Sequence, residues 1–548
     1  MKHIATPICG ISGVYPACKY GRSLSQKLYL ELTPPSASDT MGDADRLQNA
    51  LDALSLKDRS PFSEQARPFF SLPYPVLVRD YPSFRQKDWK ITVTLVFTGR
   101  NWEITSIEAG DTTNFHYGLA ADLGSTTVAM ALMNLNTGEI LAEESCFNRQ
   151  ISFGEDILNR IFYTRSNPEH RKELQQAAVD SLVFLMEELE KKSGISVSEC
   201  PVMVIGGNTT MIHFLLNIDA FPVFMSPFAP VFNQTGFLPG RELTLPFSGL
   251  IYCLPSSANY LGGDIISGIL AAGMAEDSHI SLYIDIGTNG EMVIGSSEFL
   301  VAGAGAAGPA LEGGISRFGM RADTGAIDSV RITDGTLVVT VIGNGPAKGI
   351  CGSGIVDLLA QLLLNGWMNL QGNLLMGSSD RIVLKDEEAA VVYAWGKDSE
   401  TGEDLYFSQK DIDSFLDTKA AASTMVSCLL EETGISTEDI ERIYTAGSFG
   451  RYLDLESAIT IGLYPDLPRE RFSCVGNGSL KGACSLLADR RLMNQISHIL
   501  PNIHYIQFGM AEDFVTKMRA ARFFPHTDLD CYPTVKRELQ KRHILPAE

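Results

Sequence analysis

The chain has 548 residues, of which 45% are hydrophobic and 20% charged, and its formal net charge is −21. A chain of this length exceeds what one hydrophobic core serves, so about two to four domains are expected. The negative charge argues against non-specific binding to nucleic acid or anionic membranes, because both attract positive charge. No apolar run is long enough to span a bilayer, and the start MKHIATPICG lacks the apolar core of a signal peptide. We therefore expect a cytoplasmic protein with no membrane and no nucleic-acid partner.

The first part of the chain predicts a small α+β unit. Residues 1–24 show little periodicity and are interpreted as an N-terminal extension. Residues 25–115 are interpreted as a linker and a small middle domain, in which KLYLELTPPS predicts a strand stopped by its two prolines. The other predicted elements are a helix, DADRLQNALDAL (43–54), and two strands joined by a hairpin turn, KITVTLVF (90–97) and WEITSIEAG (102–110).

Residues 116–525 contain an internal repeat. The stretch GLAADLGSTTVAMALMNLNTGEILAEESC is typical of three strands joined by tight turns, and SLYIDIGTNGEMVIGSSEFLVAG (281–303) repeats that pattern. Two lobes are therefore predicted, at about 116–280 and about 281–525. The pattern favours an α/β fold with duplicated ribonuclease-H-like lobes, as in actin, sugar kinases and Hsp70-type chaperones. Residues 526–548 have little apolar pattern and are predicted to be a loose C-terminal tail.

The turn after the first strand of the repeat suits a phosphate group. A hairpin tip of glycine and small hydroxyl residues lets backbone N–H groups approach phosphate oxygens. Asp122 at the strand end can hold Mg²⁺, directly or through water, because this cation keeps several waters and needs only one or two carboxylates. An ordinary hairpin turn capped by the aspartate is the structural alternative for a single copy. The predicted phosphate contacts here are Gly124, Ser125, Thr126 and Thr127.

The second copy, in the same strand–turn–strand context, makes the ordinary-turn alternative much weaker. Asp285 is the counterpart of Asp122 and the second candidate ligand of Mg²⁺. Glu291 begins the outgoing strand and can position an attacking water or support the hydration shell of the metal. A solvent-facing strand residue is the alternative for Glu291. The predicted phosphate contacts of this turn are Gly287, Thr288 and Asn289.

Two Gly-rich turns predict an adenosine pocket. IYTAGSFG (443–450) is a strand that ends in a turn, and GNGSLKGA (476–483) is a similar turn before a helix. Glycine permits close approach of a ring or ribose, and a helix N-terminus favours phosphate. The predicted contacts are Gly447, Ser448, Phe449 and Gly476.

Other motif classes are absent from the sequence. It has no G-x4-G-K-[ST] P-loop and no dinucleotide-binding G-x-G-x-x-G after a strand. GICGSGIVDLL (349–359) opens a helix, whose N-terminus suits either a phosphate or close packing on a sheet. Cys351 in that block is predicted to be a buried structural thiol. The ten cysteines are scattered, none forms C-x2-C, and no iron–sulfur cluster is expected.

Taken together, the motifs resemble those of the reductive activators of corrinoid-dependent proteins, a branch of the actin/sugar kinase/chaperone-like ATPase superfamily. The resemblance extends from about residue 25 to about residue 525. It is carried by YGLAADLGSTT, SFGEDILNRI, VIGGNTTMIHFLL, YLGGDI, IDIGTNGEMV, GAAGPALEGG, ICGSGIVDLL, FSQKDIDSFLDTKAA, YTAGSFG, GLYP and VGNGSLKGA.

The resemblance implies an ATP- and Mg²⁺-dependent activator that returns a corrinoid protein from inactive Co(II) to Co(I). It also matches Gln409 and Lys419 to family positions that contact nucleotide, with an exposed helix face as the alternative. Members of the family commonly carry an iron–sulfur domain, whereas Cys9 and Cys18 cannot supply four ligands. The resemblance therefore implies a separate ferredoxin or flavoprotein as electron donor, and it leaves a homodimer open.

Two alternatives remain open at this stage. One is a small-molecule kinase of the same fold, which needs a general-base aspartate between the lobes. The other is a nucleotide-dependent scaffold for assembling a corrinoid methyltransferase.

Overall fold

The computed structural model of the chain describes residues 14–55, 68–287, 290–305, 314–447, 453–508 and 513–546. Within these ranges no helix is both long and apolar enough to cross a membrane.

The N-terminal unit is a sheet with helices on one face. Its strands lie in the order β1-β3-β4-β2, and β3 runs antiparallel to both of its neighbours. The predicted strand, helix and hairpin are confirmed. The elements are β1 (Ser25–Glu31), α1 (Asp43–Ser55), β2 (Phe70–Ser71), α2 (Tyr74–Asp80), α3 (Ser83–Gln86), β3 (Lys90–Phe97) and β4 (Trp102–Ala109).

The first lobe is built on a six-stranded sheet of the described residues, in the order β7-β6-β5-β8-β10-β9. The predicted meander forms β5 to β7, because short apolar strands alternate with tight turns. Long helices cover one face. The elements are β5 (Tyr117–Leu123), β6 (Thr127–Asn134), β7 (Ile140–Phe147), α4 (Ile157–Ser166), α5 (Glu169–Ser193), β8 (Val202–Gly207), α6 (Thr209–Leu215), α7 (Phe221–Phe224), β9 (Phe237–Pro239), β10 (Leu250–Cys253) and α8 (Gly263–Ala272).

The second lobe holds another sheet, in the order β21-β20-β11-β12-β13-β22. Its elements, in chain order, are β11 (Ser281–Ile286), β12 (Gly290–Gly295), β13 (Leu300–Gly305), β14 (Ala326–Thr333), β15 (Thr336–Val341), β16 (Gly349–Ile350), α9 (Gly352–Leu364), β17 (Ile382–Lys385), β18 (Glu388–Ala394), β19 (Leu405–Ser408), α10 (Gln409–Thr433), β20 (Arg442–Ala446), α11 (Leu455–Thr460), β21 (Phe472–Gly476), α12 (Gly478–Ala488), α13 (Leu492–Asn502), β22 (Ile503–Ile506), α14 (Phe514–Ala521) and α15 (Pro533–Lys541).

The two sheets are copies of one topology. In each, three antiparallel strands are followed by two strands parallel to the first, which gives the strand order 3-2-1-4-5 of a ribonuclease-H-like domain. Each fifth strand leads to a helix, α8 in the first lobe and α12 in the second. The predicted duplicated α/β fold is confirmed.

The lobes meet where α8 and α12 cross. A Cβ atom on Gly482 would overlap the backbone of Ser267, and one on Gly478 would overlap the Tyr283 hydroxyl. The Ser267 hydroxyl donates to the Ser479 carbonyl oxygen at 2.5 Å. The ends of β5 and β11 lie near this crossing, close enough for the charge of Asp122 to act on Asp285.

Two regions differ from the sequence expectation. Residues 326–408 form two small sheets, β15-β14-β16 and β17-β18-β19, which the motifs described above do not predict. Asp334 and Gly335 both have positive φ, 51° and 75°, so Asp-Gly between alternating apolar residues was a hairpin signal in the sequence.

The loose tail was also a wrong expectation over most of its length. The helix α15 places Val535 and Leu539 in the core of the second lobe, where both are buried. Its apolar residues are four apart, a pattern too short to stand out in the sequence without the surface that it covers.

Candidate nucleotide site between the two lobes

Asp122, at the end of β5, belongs to a turn that the first lobe holds firmly. The Gly124 amide donates to the Thr127 carbonyl oxygen at 3.1 Å, which closes the hairpin. The buried Asn148 donates its side-chain amide to the Gly124 carbonyl at 2.8 Å and its backbone amide to the Thr126 carbonyl at 2.9 Å. The predicted contact residues 124–127 are half-buried.

Asp285, at the end of β11, takes the matching position in the second lobe. The Tyr283 hydroxyl donates to its carboxylate at 3.2 Å. Gly447 lies against this strand end with a φ of 85°, and a Cβ there would come within 2.7 Å of the Ile286 carbonyl oxygen and 3.0 Å of Asp285 Oδ1. Only glycine fits both the conformation and the space, so the predicted Gly-rich turn does reach the second aspartate.

A third carboxylate, Asp264, completes the group, and sequence reasoning missed its role. It lies in the first turn of α8. A Cβ on Gly262 would lie 2.8 Å from the Asn208 Cα, so the backbones of two turns approach closely beside it. The sequence does carry a signal for this site, because Gly-Gly-Asp at the start of a helix places an acidic side chain where two backbone segments approach closely. The block YLGGDI contributes to the family resemblance above, where Asp264 is not a predicted site residue.

Burial and mutual repulsion control the protonation of these three groups. Burial and the charge of Asp122 raise the pKa of Asp264 to about 7 and the pKa of Asp285 to about 7. Burial also raises the pKa of Asp122, against the nearby Ser479 hydroxyl and the hydrogen bond from Asn477, which favour its charged form. Carboxylates that repel one another in a cleft are the environment in which a cation is most stabilising.

The geometry fits a cation that keeps part of its own ligand shell. In the described ranges no three carboxylate, histidine or cysteine side chains lie close enough together to hold a metal ion directly. Mg²⁺ normally retains waters and takes one or two carboxylates with phosphate oxygens. Asp122 and Asp285 fit that role.

Glu291 lies on the same face of the second sheet as Asp285. The two residues are direct cross-strand partners on β12 and β11, so their side chains point the same way. Glu291 is 7% exposed, which rules out the solvent-facing alternative. Its charge also contributes to the raised pKa of Tyr283, although the burial of that phenol is the larger cause.

The second Gly-rich turn meets the first lobe. Gly476 ends β21 with a φ of 75°, and Asn477 follows it as the N-cap of α12. The Asn477 side chain donates to Asp122 Oδ2 at 2.9 Å across the lobe boundary. Among the described residues, nothing lies within 4 Å of a Cβ atom built on Gly287. Four predicted contacts, Thr288, Asn289, Ser448 and Phe449, lie outside the described residues.

Comparison with known proteins decides the family. Models of the RACo linker region, the RACo middle region and the C-terminal domain of RACo, described as the ASKHA domain, match residues 22–114, 117–277 and 279–536. The corrinoid activation enzyme RamQ of Eubacterium limosum is 32% identical over 401 residues, which are 71% of this chain and 67% of that protein. The chain belongs to the RACo family.

Two further relatives agree. A [Co(II) methylated amine-specific corrinoid protein] reductase of Methanosarcina barkeri is 23% identical over 448 residues, covering 73% of this chain and 75% of that protein. A solved reductive activator for corrinoid, iron–sulfur protein superposes with a TM-score of 0.83 at 33% identity, covering 97% of this chain and 82% of that chain. The resemblance inferred from the sequence is confirmed. In the family's terms the small α+β unit is the linker region, and the first lobe is the middle region.

Gln409 and Lys419 are not brought to the three carboxylates. The Gln409 side chain accepts from the Leu374 amide at 2.9 Å and donates to the Gly372 carbonyl at 2.9 Å. Lys419 is fully buried and donates to the backbone carbonyls of Ala521, Phe523 and Pro525. Burial lowers the pKa of Lys419 to about 7. Both side chains hold neighbouring backbone. The exposed-face alternative is wrong for Lys419, which is fully buried, and the nucleotide contacts of both residues remain predictions.

The start of α9 is a packing site. A Cβ on Gly354 would overlap the Ile327 carbonyl, and Gly352, Ser353 and Gly354 are all buried. Cys351 is buried as expected, and its thiol contacts the Ile327 carbonyl at 3.3 Å. Close packing of helix on sheet, the alternative to a phosphate site, fits these contacts.

Proposed function

We propose that this chain is an ATP-dependent reductive activator that returns a corrinoid protein from Co(II) to Co(I), with an electron from a separate ferredoxin or flavoprotein. The observation that carries the nucleotide part is the pairing of Asp122 and Asp285 at matching strand ends of the duplicated lobes. The activities for which RamQ and the Co(II) corrinoid protein reductase are named support the corrinoid part.

Different residues would contact the metal ion, the phosphates and the adenosine. Asp122 and Asp285 would hold Mg²⁺ through its waters, and the turns at 124–127 and 287–289 would surround the phosphates. Bound Mg²⁺ supplies charge neutralisation for the phosphoryl group that is transferred. Gly447 and Gly476 would allow the adenosine to approach the backbone closely.

Asp264 is the best placed group to take a proton from the attacking water. Its pKa of about 7, raised by burial and by Asp122, suits a general base at neutral pH. It lies on the opposite lobe from Asp285, so it faces the phosphate region across the cleft. Glu291, buried beside Asp285, is the second residue able to orient a water there.

Nucleotide turnover can drive an unfavourable reduction by linkage. A shift of 100 mV in the potential of a one-electron centre corresponds to about 2.3 kcal/mol. A shift of several hundred millivolts therefore needs several kcal/mol of differential binding between oxidation states of the partner. Closure of two lobes around a nucleotide is a conformational change of suitable scale.

The test is an anaerobic assay with a corrinoid protein held as Co(II), an artificial reductant, and Mg·ATP. The visible spectrum is expected to show Co(I) only when the chain and ATP are both present. At Mg·ATP concentrations below saturation, Asp285→Asn is expected to lower both Co(I) formation and phosphate release by about 10- to 100-fold. Asp417→Asn is the matched control, because Asp417 is a half-exposed residue paired with Arg522 on the surface.

The other outcomes identify the alternatives. Transfer of ³²P to a small molecule, in place of release as phosphate, would support a kinase. Nucleotide binding without turnover, even with the corrinoid protein present, would support a scaffold.

A further inference from the structure

The helix α12 connects the phosphate site to the small α+β unit. Its N-cap, Asn477, donates to Asp122 at 2.9 Å. It has 11 residues, which corresponds to a length of about 16 Å. Its other end lies against the segment that leads into β1.

The C-terminal end of α12 is held by several contacts to residues 18–24. The Leu24 amide donates to the Leu487 carbonyl oxygen at 2.9 Å, and the Cys18 thiol contacts the Ala488 carbonyl oxygen at 3.9 Å. Arg490, just beyond the helix, donates its backbone amide to the Arg22 carbonyl oxygen at 2.9 Å.

The Arg490 side chain extends the attachment into the sheet of the small unit. Its guanidinium donates to the Gly21 carbonyl oxygen at 2.7 Å and lies 5.3 Å from the ring centre of Trp102 on β4. Arg490 and Trp102 are both buried. The Phe97 amide in turn donates to the Leu24 carbonyl at 2.9 Å, so β3 is tied to the same point.

The helix α12 is packed so closely along its length that its two ends cannot move independently. Gly206 of the first lobe would overlap the Ser479 hydroxyl if it carried a Cβ, and Gly482 would overlap Ser267. A helix packed this closely moves as one body, because packed interfaces change between discrete arrangements and do not deform continuously.

We propose that α12 couples occupancy of the phosphate site to the attachment of the small α+β unit. A ligand that interacts with the carboxylate of Asp122 competes for it with the side-chain amide of Asn477. A shift of the helix N-terminus is then carried to Leu487, Ala488 and Arg490, and from there to residues 18–24. Because the coupling starts at the phosphates, it rests on the proposed nucleotide binding.

The test is hydrogen–deuterium exchange on the full chain, with and without Mg²⁺ and a non-hydrolysable ATP analogue. In the wild type, the analogue is expected to change the exchange of the Leu24 and Phe97 amides by at least about fivefold, a coupling of about 1 kcal/mol. Analogue binding is measured separately by calorimetry on the same samples.

A pair of neighbouring arginines supplies the variant and its control. Arg490→Gln removes the contacts to Gly21 and Trp102, and it is expected to reduce the exchange change at Leu24 to less than about twofold while the analogue still binds. Arg491→Gln alters the next residue, whose side chain contacts the Asp489 carboxylate, and is expected to keep the wild-type change.

Each result has a defined meaning. If the wild type binds the analogue and the exchange of residues 18–31 stays the same, the coupling is overturned and the proposed function stands. If the wild type does not bind the analogue, the proposed nucleotide function fails, and the coupling fails with it. If Arg490→Gln is too unstable to purify, the wild-type comparison alone still decides.

Discussion

The two Asp-x-Gly turns have the same topology but are held by different contacts. In the first lobe, Asn148 fixes the backbone of residues 124–127, and Asn477 reaches across from the second lobe to Asp122. In the second lobe, Asp285 receives the hydroxyl of Tyr283, and the turn that contains Gly447 packs against the end of β11. The first turn is therefore held by side chains from both lobes, whereas these contacts of Asp285 come from its own lobe.

The largest effect is expected at the carboxylate that has no aspartate counterpart in the second lobe. Asp264→Asn should lower kcat for ATP hydrolysis by about 10²- to 10³-fold, because an amide cannot accept the proton of the attacking water. The Kd for Mg·ATP should change little, since one repulsive charge is removed. Steady-state kinetics with calorimetry separates the two quantities. A loss confined to affinity would assign Asp264 to binding.

The next largest effect tests whether the two aspartates proposed to hold Mg²⁺ are equivalent. Asp122→Asn and Asp285→Asn should each weaken Mg·ATP by about 10- to 100-fold. In Asp122→Asn the amide of Asn477 also loses a charged acceptor, so this variant should be the less stable of the two. Binding titrations at several Mg²⁺ concentrations and urea unfolding measure both effects. Equal stability would contradict the inequality described above.

Gly447→Ala tests the close approach of the Gly447 turn, proposed to receive the adenosine, to Asp285. The substitution should cost about 1–3 kcal/mol of unfolding free energy and weaken nucleotide binding, because it adds a clash to an unfavourable φ. Gly434→Ala is the matched control, since Gly434 has a φ of 67° and nothing within 4 Å of an added Cβ. Gly434→Ala should show only the free-energy cost of placing alanine at a positive φ, and nucleotide binding should be unchanged.

A smaller effect concerns the dependence of stability on pH. The folded pKa of Asp285 is raised from 3.8 to about 7 by burial and by Asp122, so the folded state holds a proton that the unfolded state has released. Stability from this group therefore falls as pH rises from about 4 to about 7. Asp285→Asn should raise the unfolding free energy of the ligand-free protein by about 1–2 kcal/mol at pH 8 and leave it nearly unchanged at pH 4.

The measurement is urea unfolding at both pH values, without and with Mg²⁺ and nucleotide. Mg·nucleotide should stabilise the wild type at pH 8 and have much less effect on the variant. A variant that is destabilised at pH 8 would mean that burial of the charge is already compensated within the protein.

The sequence by itself determined the duplicated lobes and the two aspartates, because a strand–turn–strand pattern is local and its residues carry the chemistry within a few positions. It also determined the family, since long ordered blocks identify a fold without any contact being known. Only the tertiary structure placed Asp264 and Asn477 beside Asp122, as those residues lie 142 or more positions away and meet through the crossing of α8 and α12.

The same reason explains the errors. Lys419 matched a family position and lies on a predicted helix, yet its ammonium is enclosed by carbonyls of residues 521–525, more than 100 positions further on. The helix α15 had too few apolar residues to be recognised alone, and its role follows from the surface beneath it. Local patterns thus fix elements and motifs, whereas burial and long-range partners fix what each side chain can do.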